Sequence, residues 1–182
     1  MAFEAYLYID GVRGDSTSEI GLSPDKRVAK SAGGGPIEIK SYGLSLEMPL
    51  VENRSATGAV TVGRANFAEF ETAKSLDVST GALLFYCLSG KHIKQAVVAV
   101  YRATDEGGDG KPTLYMQAIY NNIVITEVGV SGGGDEMPSE TLKFNYGNVK
   151  LVYYKTSPTT GKSEGLAEFH WDRVANTGEK SG

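Results

Sequence analysis

Residues 76–103 read LDVSTGALLFYCLSGKHIKQAVVAVYRA, and two periodicities meet in them. Ser79 or Thr80 can accept hydrogen bonds from the free backbone N–H groups at a helix start. Ala82, Leu83, Tyr86 and Cys87 fall at i, i+1, i+4 and i+5, one apolar stripe of a short helix over about residues 79–89. Gly90 stands where a helix wants a left-handed residue after its last turn, and Lys91 follows near the negative helix end. From His92 to Tyr101 the run is strand-like.

Working outward, the other periodic segments read as strands. Ala2 to Ile9 alternates, with Phe3, Ala5, Leu7 and Ile9 on one side and Glu4, Tyr6 and Tyr8 on the other. Ile37 to Met48 is a second strand, with Tyr42, Leu44, Leu46 and Met48 in phase. Val60–Glu71, Thr113–Val130, Glu140–Tyr154 and Leu166–Val174 follow. Residues 11–35 and 52–58 are polar or glycine-rich loops, and 106–112 is a turn cluster. Many strands and one helix predict a mainly β fold: a two-sheet β-barrel or sandwich with one docked α-helix. Residues 1–176 are read as a single domain and 177–182 as a disordered tail.

Composition limits the functions open to such a chain. A domain of 182 residues, 41% hydrophobic, buries a core without covalent staples. A net charge of −4, with no basic stripe, argues against nucleic acid as the main partner. No apolar run reaches the length of a membrane helix, so membrane insertion is not expected. One cysteine makes no internal disulfide. The first residues, MAFEAYLYIDG, lack the basic and apolar regions of a Sec signal peptide. Folding in a cytoplasm, with any export by another route, is the expectation.

Cys87 and His92 invite a thiol-and-base reading. The cysteine lies on the core stripe at a helix C-terminal end, where the negative dipole raises a thiol's pKa, opposite to a nucleophile's need. One Cys with the widely spaced His92 and His170 makes a poor zinc set. The runs SAGGGP and VSGGGDE lack a phosphate loop's trailing lysine and its strand–loop–helix setting. Arg13-Gly14-Asp15 matches an adhesion tripeptide without the context to support it. No catalytic residue, metal site or cofactor is expected, and the chain reads as a non-enzyme.

Two strands carry apolar residues on both parities. Ile119, Ile123 and Ile125 share one, and Val124, Val128 and Val130 the other. In the later segment Leu142, Phe144 and Tyr146 give way to Val149, Leu151 and Tyr153, with Gly147 at the switch. A lone antiparallel sandwich should be polar outside. Val124, Ile125, Val128, Leu151 and Tyr153 are therefore candidate subunit-interface residues.

Over nearly its whole length the chain resembles the Hcp family of bacterial type VI secretion. Residues 76–103 resemble the family's D-x-S-T-P-x-L helix, SGKH turn and Q-A-x-hydrophobic strand, with Gly81 in place of the usual proline. GVRGDSTSE at 11–19 resembles its opening, with Asp15 where glutamate is usual; the tripeptide is then incidental. IEIKSYGLSL at 37–46 resembles its second strand. ETLKFNYGNVKLVYYKT at 140–156 and FHWDRVANT at 169–177 resemble its last strands, with His170 in place of a common glycine.

The resemblance implies a homohexameric ring and rings stacked into the inner tube of a contractile sheath. It implies contacts with sheath, tip and baseplate proteins, small effector cargo in the lumen, and secretion without a Sec signal. Two other readings remain open: a monomeric β-barrel that binds a small ligand, and a hydrolase built on Cys87 and His92. Segments 11–35 and 52–58 are candidates for ring-to-ring contacts.

Overall fold

The computed structural model describes residues 3–16, 35–51, 61–102, 113–134, 137–156 and 163–182. The strands are β1 (Phe3–Ile9), β2 (Ile37–Ile39), β3 (Ser41–Gly43), β4 (Leu46–Glu47), β5 (Leu50–Val51), β6 (Thr61–Val62), β7 (Asn66–Phe67) and β8 (Phe70–Ser75). Helix α1 (Thr80–Ser89) follows, then β9 (Ile93–Arg102), β10 (Thr113–Ser131), β11 (Ser139–Thr156), β12 (Ser163–Asp172) and β13 (Thr177–Ser181).

The main sheet runs β2-β1-β9-β10-β11-β12-β13, all pairs antiparallel. It forks at β11. Residues Ser139–Phe144 pair with β8, and Asn148–Thr156 pair with β12. β8 also pairs with β3, so one strand serves two layers. The layers approach again at Lys40, between β2 and β3, whose N–H donates to Ala73 O at 2.7 Å. The result is sandwich-like rather than a closed barrel, with one helix docked on it.

Core placement corrects the parity reading. Asn122, at φ +54°, stands opposite Gly147, between the pairs Asn121–Asn148 and Ile123–Tyr146. Each strand changes parity there, so Ala118, Tyr120, Ile123 and Ile125 all enter one core, as do Leu142, Phe144, Tyr146 and Val149. A register shift between Ile125 and Glu127 turns Val128 inward again. The core sets on either side of Asn122 and Gly147 therefore lie on one face, kept by a parity change in both strands at once and by the register shift after Ile125. Ile119, expected to side with Ile123, lies on the reverse face.

That reverse face holds a second cluster of Tyr6, Tyr8, Val97, Ala99 and Tyr101. The tyrosines of β1 are thus buried, although alternation put them on the polar side. Leu83 of α1 is fully buried, and Ala82, Tyr86 and Cys87 pack beside it on the main core, as their spacing predicts. Gly90 takes the left-handed conformation, φ +59°, and its N–H donates to Cys87 O.

Thr177–Ser181, read from sequence as a disordered tail, forms β13. β12 offers an open edge, and pairing satisfies its backbone groups. Gly178 makes this possible: a β-carbon there would stand 2.3 Å from Trp171 Cε3, so the indole covers a position that only glycine can occupy.

Candidate assembly site

Residues 46–51 and 61–67 form two short ladders outside the main sheet, together an arm whose base, at Leu44 and Phe67, packs on the core. β4 pairs with β7 and β5 with β6. Leu46, Met48 and Leu50 are 44%, 47% and 65% exposed and alternate along it. The sequence reading made Leu46 and Met48 part of one long second strand. The chain instead breaks after Lys40 and Gly43 into short pieces that leave the core.

The arm's base is tied to the β12–β13 turn. The Arg173 guanidinium lies over the Phe67 ring at 5.0 Å and over the Tyr146 ring at 4.9 Å. Its Nη1 donates to Tyr146 O at 2.6 Å and to Asn145 Oδ1. Arg64 Nη2 donates to Arg173 O at 2.9 Å, and Tyr146 Oη donates to Ala68 O at 3.2 Å. A guanidinium between two rings contributes about 0.5–2 kcal/mol per contact depending on desolvation, so Arg173 fixes where the arm starts.

The helix is held by buried charge. Lys74 Nζ lies 2.7 Å from Asp77 Oδ1 and 3.4 Å from Glu140 Oε1, with both the lysine and the glutamate side chains fully buried. Thr80 Oγ1 donates to Glu140 Oε2 at 2.6 Å. Ser79 does not cap the helix; its hydroxyl and its N–H both donate to Asp77 Oδ1. A carboxylate held by a buried lysine outcompetes a weaker hydroxyl cap. Leu84, Phe85 and Leu88 stay outside, the last 88% exposed. Their spacing off the core stripe was legible, and the arginines of the arm base carried no sequence signal.

Of the five candidate interface residues, Ile125 is in the core, 2% exposed. Val128 and Leu151 pack partly against that core. Val124 is half-buried on the opposite side of β10, and Tyr153 is 46% exposed near the end of β11. Cys87 is half-buried, and His92 is exposed with Nδ1 3.0 Å from Asn122 Oδ1. Among the described residues no three His, Cys, Asp or Glu side chains converge. Residues 17–34 and 52–58 of the expected contact loops lie outside the described residues; 11–16 bridge to the body through Gly14 N–H and Gly35 O at 2.9 Å.

The sequence model of the family described as "Type VI secretion system effector, Hcp" matches residues 6–153. The chain belongs to the Hcp family. Protein hcp1 of Pseudomonas aeruginosa is 26% identical over 110 residues, 60% of this chain and 65% of that protein, so the match spans just under two thirds of the relative. The fold is similar to that of Hcp1 from Salmonella typhimurium, with TM-score 0.71 and 23% identity over 98% of this chain and all of that one. It is also similar to a structure described as a type six secretion system protein, with TM-score 0.79 and 20% identity at the same coverage.

Proposed function

We propose that this Hcp-family chain is a structural tube subunit of a type VI secretion system, working as a hexameric ring. The rings stack into the inner tube inside the sheath, take small effectors in the lumen, and leave the cell without a Sec signal. The family match over residues 6–153 carries the reading. The exposed apolar row Leu46, Met48 and Leu50 supports it, because such a row on a fixed arm is stabilised by burial against another chain. Val124 and Tyr153 are the candidates of the original five that keep accessible surface away from the core. No step of this role needs a catalytic group, cofactor or metal, and the chain is read as a non-enzyme.

Sedimentation equilibrium of the purified protein tests the proposal. A particle of six chain masses supports it. A monomer at every concentration favours the small-ligand barrel instead.

A further inference from the structure

Two clefts of opposite character lie along β11. The first, about 470 Å³, is lined by Arg64, Phe67, Asn145, Tyr146, Arg173 and Val174. It contains two guanidiniums and no carboxylate, and no ion pair among the described residues involves either arginine. The second, about 550 Å³, includes Asp15, Glu38, Lys40, Leu76, Asp77 and Met137 in its lining. With Asp77 paired to Lys74, two carboxylates, Asp15 and Glu38, face one lysine there. Among the described residues Asp15 Oδ2 accepts the Val78 N–H at 3.3 Å. Glu38 is exposed.

Each charged cleft carries an exposed apolar side chain at its rim: Val174, 81% exposed, at the first, and Met137, 72% exposed, at the second. Ser75 of the acidic cleft pairs with Ser139, and Tyr146 of the basic cleft lies seven residues further along β11. At the rise of a strand that is about 23 Å, too far for the clefts of one molecule to meet.

We propose that the Arg64–Arg173 cleft is a carboxylate-binding subsite for a second copy of this chain, filled by the Asp15–Glu38 rim. Two different patches of one chain make a head-to-tail contact, the kind that propagates into rings or filaments. Arg173 is pre-organised by its two rings and its bonds to Asn145 and Tyr146. Arg64 is exposed, and among the described residues it has donors for a planar carboxylate beyond the bond to Arg173 O. The proposal rests on the tube reading for the fact of assembly, and adds which faces meet.

Charge reversal tests it in sedimentation velocity at low salt. Arg64→Glu and Glu38→Arg should each weaken the apparent association about tenfold or more, and the two together in one chain should restore it to within a few-fold. Arg64→Gln, which can keep the hydrogen bond to Arg173 O, should weaken association in the same direction and flatten its salt dependence. Circular dichroism melts should match wild type throughout. An assembled wild type with Arg64→Glu and Arg64→Gln unchanged overturns the subsite while leaving the tube reading intact. Loss with Arg64→Glu but none with Glu38→Arg overturns the Asp15–Glu38 rim as the occupant. A wild type that never associates overturns both.

Discussion

A β-carbon built on Gly147 would stand 3.2 Å from the Asn122 β-carbon, so the two residues share one crowded position in adjacent strands. Asn122 is there at φ +54°, a conformation asparagine adopts more readily than most residues. This pair lets β10 and β11 change parity together and keep the main core on one face. We expect Gly147→Val to destabilise by about 1–3 kcal/mol, the usual cost of overpacking. Asn122→Gly should be much milder, since glycine takes the same backbone without strain. Urea midpoints of the two variants check the contrast.

The paired parity change also explains how far the sequence could be read. The helix stripe at Ala82, Leu83, Tyr86 and Cys87 and the Gly90 stop depend on local spacing, and both are found in the structure. The families of strands were legible for the same reason. The switch at Gly147 was legible, but its partner at Asn122 was not, because two apolar sets out of phase look alike whether they face two surfaces or follow one surface through a local change of backbone. β13 was hidden too: Thr177–Ser181 has no apolar pattern, and its order comes from the open edge of β12 and the Trp171 indole over Gly178. The exposed helix row Leu84, Phe85 and Leu88 was not singled out from sequence, although its spacing off the core stripe is local. The Arg64–Arg173 contact joins residues more than a hundred positions apart and has no local signature.

The core assignment now separates Val124 from Ile125. Ile125→Asp places an unpaired carboxylate in the main core and should abolish folding, since the cost of several kcal/mol is comparable to a domain's stability. Val124 is half-buried on the other side of β10, so Val124→Asp should stay folded and lose higher-order particles. Circular dichroism and sedimentation on both proteins decide it. Two unfolded variants would mean that Val124 is packed within the chain.

Lys74 is buried between two carboxylates, so removing it alone should cost far more than removing the network. Lys74→Met leaves Asp77 and Glu140 without their cation, an expected loss of about 3–5 kcal/mol. Lys74→Met with Glu140→Leu should recover part of that loss. A double-mutant cycle from guanidinium denaturation measures the coupling; additivity would contradict the account.

The half-buried Cys87 and the exposed His92 are expected to be dispensable for both fold and assembly. Cys87→Ser with His92→Ala should cost about 1 kcal/mol through lost packing at the cysteine and leave the assembled particle intact. Thermal melting with sedimentation reads both. Loss of assembly in a well-folded variant would assign these residues a role in a contact.

Alkaline pH should weaken the protein through its tyrosines. Burial, then Tyr6 and Tyr154, pushes the Tyr101 hydroxyl up to about 12. Burial also raises Tyr42, Tyr146 and, most of all, Tyr120. The folded state therefore holds protons that the unfolded chain releases near pH 10. This contribution is complete below pH 10 and is lost as pH rises from 10 toward 12. Urea midpoints should fall across that window, and Tyr101→Phe should make the fall shallower. A midpoint rising with pH there would have the wrong sign.

Electron microscopy of the purified protein in negative stain tests the tube assignment most directly. The account predicts six-fold rings with an open centre, some of them stacked. A field of isolated single-chain particles, at concentrations where circular dichroism shows the protein folded, would contradict it.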